Sequence, residues 1–318
     1  MLSRSVAACA RPSLARGLAS GRALASSRGL ASGRDPLVHA TAVVEDGAHV
    51  GPGCSVGAFA VVEAGVRLEE GVQVKPHAVV TGDTVVGPGS EIHSFAVVGG
   101  PPQDRKHDPS LGPSKLRLGA NCVVREFVTV NGGTALGGGL TAIGDNCLLL
   151  ANSHVGHDCI LARGVVVSNL VQLAGHVHVG AFATLGGACT VRQHVNIGRL
   201  AMIGGASAVD RHVAPFVLAL GNRARLRGLN LVGLRRQKTA STEIAALREA
   251  TNLIFGVGND KDAGTMDARA ATSLELFPNS LLVRELVGFV RGENDVSSDC
   301  VAEWDLRRLR IGHLMPDR

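Results

Sequence analysis

An aliphatic residue recurs every six positions from 38 to 209, aromatic residues make up only 3% of the chain, and helical spacing is confined to the last third. Together these predict a mainly β protein: a parallel β-helix of hexapeptide repeats followed by a small α-helical C-terminal domain. The expected organisation is a targeting peptide over 1–34, the β-helix over 35–215 and the helical domain over 216–318.

The first 34 residues carry six Arg and no acid, and a near-repeat runs from Gly17 to Arg22 and again from Gly29 to Arg34. Such an Arg-, Ser- and Ala-rich leader has the composition of an organellar transit peptide, for a mitochondrion ahead of a plastid. The leader also produces the apparent basicity of the chain. The formal charge is +5, yet without these Arg residues 26 basic side chains face 27 acidic ones, a net charge of −1. Nucleic acid is therefore not an expected partner. No window is long and apolar enough to predict a membrane-spanning helix.

The hexapeptide register runs from Val38 through Val44, Val50, Val56 and onwards to Val98, returns at Leu118, Val124 and Val130, and then continues unbroken from Ile143 to Val209. All twenty-six anchors are Val, Ile or Leu. Three hexads of about six residues make one triangular coil of about 18, so roughly eight to nine coils are expected. The anchors should point inward, small fifth residues should fill the remaining interior, and Gly should turn the corners where a positive φ is needed. Such a prism buries a core without aromatics. Cys54, Cys122, Cys147, Cys159 and Cys189 all occupy the fifth position, and with no CxxC pair they read as buried free thiols.

Two breaks, 99–117 and 135–142, are expected to leave the prism as loops, natural places for substrate contacts on a rigid support. The period ends after Val209, and Ala214-Pro215 marks the expected boundary. Ile244, Leu247, Thr251 and Ile254 predict a helix over about 241–255, a second run from Met266 stops before Pro278, and a third starts near Asn279.

Residues 18 apart stack in adjacent coils, which places Asp158, His176, His194 and His212 in one column at the fourth, outward-pointing position. His154 and His157 lie beside it. An imidazole suits proton abstraction from a hydroxyl near neutral pH, and a carboxylate can fix its tautomer. His157 next to Asp158 fits that role, although adjacent side chains ordinarily point in different directions. For His194 and His212 solvated surface polarity is the simpler reading. The spacing leaves a zinc site of three convergent His open as well.

Several motifs go beyond the repeat: Asp35-Pro-Leu-Val-His-Ala-Thr-Ala-Val-Val, Gln103-Asp-Arg-Lys106, Gly137-Gly-Gly-Leu140, Ser153-His-Val-Gly-His-Asp-Cys159, Leu173-Ala-Gly-His176, Gly221-Asn222 and Gly233-Leu-Arg-Arg236. In these the chain resembles, over about 35–256, the UDP-N-acetylglucosamine O-acyltransferases that begin lipid A biosynthesis. The resemblance implies a left-handed β-helix and a homotrimer with active sites between prisms. It implies transfer of a 3-hydroxyacyl chain from acyl carrier protein to the sugar 3-hydroxyl, with no metal and no added cofactor. On this resemblance His157 is the general base, Asp158 orients it, and the amide of Gly175 stabilises the oxyanion. His154, His176, Asp104 and Lys106 contact the sugar substrate, while Gln193, Asn230 and Arg236 meet nucleotide or donor. Gly205 takes the position of an acyl-chain ruler, and Gly there leaves room for a long chain.

The chain departs from the family pattern at Asn131-Gly132, where His-Arg is usual, at Arg192 for His, Val232 for Glu and Gln237 for Arg. Six basic residues and no acid between Asn222 and Thr242 suit an acidic protein such as acyl carrier protein. Two other readings share the repeat: a γ-type carbonic anhydrase-like zinc protein and a non-enzymatic scaffold.

Overall fold

A computed structural model describes residues 35–256 and 264–293, all within one compact unit, Gly33–Arg318. The expected targeting peptide, Cys9 and Cys300 lie outside the described residues.

Among the described residues, twenty-six short strands from Leu37–Val38 to Ala208–Val209 follow one another, one per hexad. Each pairs in parallel with the strand one coil away, as in Leu37↔Ser55 and His154↔Gln172, and the ladders form three sheets. The chain is a left-handed parallel β-helix. Within each two-residue strand the pleat sends successive side chains to opposite faces, so the residue before the anchor faces out and the anchor faces in. Every anchor from Val56 to Val209 is buried. The first coil differs: Val38 is exposed and Val44 and Val50 are half-buried, because no coil among the described residues stacks beneath them.

The fifth position is internal as expected, and all five cysteines there are buried and outside any disulfide. Burial pushes the Cys159 thiol up to about 12, so it stays protonated and unreactive at neutral pH.

The corners correct one expectation. The fourth residue turns most corners with φ near +60°, but Gly holds few of these places. Phe59, His77, Phe95, Phe127, Asn152, Asp158, Leu170, His176, Ala188 and His194 all adopt the left-handed conformation. That conformation costs about 1–2 kcal/mol per non-glycine residue. Amide hydrogen bonds between coils at the corner, such as His77 N to Ala58 O at 3.0 Å and His176 N to His157 O at 2.9 Å, offset it. On one edge the rings of Phe59, His77, Phe95 and Phe127 also stack at 5.1 Å intervals.

The first loop is shorter than its sequence break, and the second has the expected length but lies three residues earlier. Lys115–Leu118 pairs with Asp83–Val86 on one side and Leu140–Ile143 on the other, so the prism resumes before the register does. Each of these strands is four residues long and adds an inward residue before its anchor; Leu116 and Thr141 are buried. What leaves the prism is 101–114 and 132–139.

The sheet also continues past the expected boundary at 215. Val217–Leu220 pairs in parallel with Met202–Ile203, and Arg225–Leu229 turns back antiparallel against it. The hexapeptide period had ended, but Val217 and Ala219 keep the inward alternation.

Among the described residues four α-helices follow: α1 (Leu231–Arg236), α2 (Ser241–Phe255), α3 (Met266–Leu276) and α4 (Leu281–Arg291). The last three match the predicted runs. Thr265 and Ser280 cap α3 and α4 through their hydroxyls. Leu247, Ala250, Thr251 and Ile254 of α2 and Val283, Leu286 and Val287 of α4 form the buried faces. A bidentate pair between Arg199 and Glu285, with contacts of 2.7–3.1 Å, ties α4 to the prism. No described helix is long and apolar enough to cross a membrane.

Candidate active site

The string His154-Val-Gly-His-Asp158 is one strand end and one corner. His154 precedes the anchor Val155 and faces outward, where its Nδ1 lies 2.7 Å from Thr129 Oγ1 one coil away. His157 and Asp158 form the turn. With φ of 58° at Asp158 the two adjacent side chains converge, and His157 Nδ1 lies 2.7 Å from Asp158 Oδ2. The contact that sequence adjacency left open is made.

Asp158 corrects the outward reading of its position: it is only 4% exposed. The loop 132–139 folds over it. Thr134 donates its amide to Oδ1 at 2.8 Å and its hydroxyl to Oδ2 at 2.7 Å, while Thr141 Oγ1 accepts the Asp158 amide at 2.8 Å. Gly137 lies against the carboxylate, where a Cβ would come within 2.4 Å of Asp158 Cγ. The Asp158 carboxylate thus accepts from Thr134 and from the His157 ring. It also assigns the His157 proton to Nδ1, which leaves Nε2 as the proton acceptor.

Gly175 lies on the Nε2 side of that ring. A Cβ there would stand 2.5 Å from Nε2, so only Gly fits, and its N–H has no hydrogen-bond acceptor among the described residues. His176 follows at the corner, its Nε2 3.6 Å from Asp158 Oδ2 and its ring edge-on to His157. Burial holds His154 and His176 below the ordinary histidine value; His157 adds to this at His154, and Asp158 opposes it at His176. Both are neutral at neutral pH.

Asp104 and Lys106 sit on the first loop, which meets the second around Thr134 and Leu136. The Lys106 amide donates to Asp104 Oδ1 at 3.0 Å and holds that carboxyl below its usual range, helped by the positive charge of Lys106. The two loops thus wall one side of the dyad. Gln193, exposed, stands one coil beyond Gly175 in the same column.

The remaining expected residues are not brought to this edge. Gly205 precedes the corner residue Ala206 on a second edge, and a Cβ on it would lie 3.3 Å from Gly187 O. Asn230 hangs from the third edge: its Nδ2 donates to Leu200 O at 2.8 Å and its Oδ1 accepts the Gly233 amide, capping α1. Arg236 ends that helix, exposed. His212 leaves its column, its Nδ1 accepting the Asn196 amide at 2.9 Å.

The family departures have partial structural accounts. Gly132 packs on Ser114, which a Cβ would approach to 3.1 Å, so a side chain there would crowd this loop path. Asn131 is buried. Arg192, Val232 and Gln237 are exposed, and nothing in the structure explains them.

Thr134, Thr129, Thr141 and Gly137 were missed. The three consecutive glycines at 137–139 were visible, but nothing in the sequence tied them to a carboxylate. His157, Asp158 and His176 are the one trio among the described residues whose ligand atoms lie close enough, within 4.8 Å, to share a cation. A zinc reading required three convergent imidazoles. Here one of the three is a carboxylate engaged by Thr134 and His157, and the next imidazole, His194, lies flat on His176.

A left-handed hexapeptide prism with a buried carboxylate–imidazole dyad, an adjacent unpaired amide and a helical C-terminal region defines an acyltransferase. Residues 212–297 match the family model described as UDP-N-acetylglucosamine O-acyltransferase, domain 2. The acyl-[acyl-carrier-protein]–UDP-N-acetylglucosamine O-acyltransferase of Agrobacterium fabrum is 48% identical over 218 residues, 69% of this chain and 80% of that protein. The solved UDP-N-acetylglucosamine acyltransferase from Campylobacter jejuni is 37% identical, with a TM-score of 0.73 over 80% of this chain and 96% of that one. The Arabidopsis enzyme of the same description is 31% identical, with a TM-score of 0.71 over 80% and 96%. The chain belongs to the acyl-[acyl-carrier-protein]–UDP-N-acetylglucosamine O-acyltransferase family.

Proposed function

We propose that the chain transfers a 3-hydroxyacyl group from acyl carrier protein to the 3-hydroxyl of UDP-N-acetylglucosamine, the first step of lipid A-type biosynthesis, with His157 as general base. The observation that carries this is the dyad itself: Nδ1 of His157 is held 2.7 Å from a buried carboxylate, and its ring lies against Gly175, where a Cβ would stand 2.5 Å from Nε2. His157 Nε2 takes the proton as the sugar oxygen attacks the thioester carbonyl. The Gly175 N–H receives the developing oxyanion, and the C–S bond breaks as the proton passes to the leaving thiolate. Asp158 steadies the imidazolium. No step in this sequence calls on a metal or an added cofactor.

His154, His176, Asp104 and Lys106 hold the sugar. Gln193, Asn230 and Arg236 meet nucleotide or donor, and Gly205 limits the acyl chain. These residues fall on three different edges, and neighbouring edges are one hexad apart, up to about 20 Å of extended chain. One substrate meets them all when a second prism brings its own edge to the first. That geometry supports a homotrimer with sites in the clefts between chains. The exposed Arg223, Arg225, Arg227, Arg235, Arg236 and Lys238 give the acidic carrier a cationic landing surface. The Arg-rich leader directs the chain to the mitochondrion; a fluorescent protein carrying residues 1–34 that entered plastids instead would overturn that assignment.

The deciding experiment is mass-spectrometric detection of UDP-3-O-acyl-N-acetylglucosamine from purified protein, 3-hydroxyacyl carrier protein and UDP-N-acetylglucosamine, with His157→Ala alongside. Product from the parent and almost none from the variant is expected. A folded parent that makes no product at any chain length refutes the reading.

A further inference from the structure

Beyond the dyad, a second imidazole pair occupies the same edge. The rings of His176 and His194 stack at 4.4 Å with 17° between their planes, and the His194 amide donates to Gly175 O at 3.2 Å. The family resemblance gives His194 no role, and its exposed corner position reads as surface polarity. Its contacts say otherwise. His176 faces Asp158, His157, His178 and His194. Its Nε2 stops 3.6 Å from Asp158 Oδ2, just beyond hydrogen-bond length. That oxygen already takes the Thr134 hydroxyl and the His157 Nδ1–H. A small rotation of the His176 ring would close the gap and set it competing with His157 for the same carboxylate oxygen.

We propose that His194 is a positioning residue: by lying flat on His176 it fixes that ring's plane, keeps Nε2 off Asp158 and reserves the carboxylate for His157. The effect of His194 on turnover rests on His157 being the base; its effect on the His176 ring does not. The repulsion His194 exerts on any positive charge at His176 works in the same direction, favouring the neutral ring. Stacking requires a flat ring and no titration, so Phe should substitute for His194 and Ala should not.

The test compares parent, His194→Ala and His194→Phe by two measurements. In acyl transfer, His194→Ala should lower kcat about five- to tenfold. The KM for each substrate should stay within about twofold, and Phe should restore kcat to within about twofold of the parent. When His176 is already Phe, adding His194→Ala should cost nothing more, since the effect runs through His176. The second measurement needs no activity: carbethoxylation of His176, followed by peptide mass spectrometry, should be several times faster in His194→Ala and unchanged in His194→Phe. If the alanine variant does not fold, His194→Leu fills the space without a flat ring and takes its place. Equal His176 reactivity in all three proteins, or parental kcat in the alanine variant, overturns the proposal. A parent that makes no product defeats the acyl-transfer reading instead, and the labelling comparison still decides whether His194 holds His176.

Discussion

Two edges of the prism share one backbone and differ in almost everything else. Phe59, His77, Phe95 and Phe127 on one edge, and Asp158, His176 and His194 on another, all take the fourth place of a hexad, and all have φ near +60°. The first edge presents its rings to solvent; Phe59 is 56% exposed. On the second, Asp158 is buried under Thr134 and Gly137, which belong to a loop the repeat does not encode. The repeat assigns an address, and the interruption of the repeat turns that address into chemistry. A corner carboxylate left in water would neither order its neighbour nor hold a fixed tautomer.

The contrast breaks most sharply at His157. His157→Ala should reduce kcat by about a thousandfold, within the usual range for a general base, while thermal melting stays at the parental temperature. Next comes the loop. Gly137→Ala drives a methyl group into Asp158 and should cut kcat about a hundredfold by displacing the carboxylate, with circular dichroism of the prism unchanged. Thr134→Val keeps the amide donor and removes only the hydroxyl; a loss of about tenfold in kcat, with KM steady, is expected in steady-state assays. A loss as large as that of His157→Ala would mean the hydroxyl holds the loop closed and does not merely serve one oxygen.

A smaller effect appears in stability against pH. His154 and His176 are held below the ordinary histidine value mainly by burial, so on acidification the unfolded chain takes up protons that the folded chain does not. Stability should therefore fall as pH drops through about 6.5 and below, where unfolded imidazoles titrate. Melting curves from pH 7.5 to 5 should show this slope, and His154→Phe should flatten it. The smallest change is expected on the other edge. Phe59→Ala removes one exposed ring of the stack and should cost about 1 kcal/mol, with kcat unaffected.

How much of this was legible follows from the same contrast. The anchors from Val56 to Val209 sit inside because pleat and period act locally, and both can be read from the string. The helix over 241–255 is likewise a local pattern with a clear stop, Gly256, in the left-handed conformation. The corner residues were harder. Propensity alone calls for Gly, and interstrand amide bonds supply what Phe, His and Asp lack. Thr134 was out of reach: it meets Asp158 across 24 positions, and one threonine in a glycine-rich break resembles any other. The ends of the loops were misplaced because strands of four residues extended the sheet into stretches where the anchor pattern had lapsed.

The coil length imposes a rule on what this chain can gain or lose. Strand partners stand 18 positions apart throughout the regular part of the prism, as Leu37↔Ser55 and His154↔Gln172 show, and the Phe59 amide donates to the Thr41 hydroxyl across the same 18. Deleting one whole coil ahead of the first loop, residues 57–74 for example, shortens the prism and leaves every later residue on its own edge. Deleting six turns everything downstream by a third of a revolution relative to what precedes it, carrying the histidine edge and both loops round together, while deleting any number not divisible by six puts outward residues into the core. Size in such a molecule is quantised. Between the N-terminus and the first loop, a lineage can lengthen or trim this chain by whole coils without redesigning the site, a freedom that a globular core of interlocking side chains does not offer.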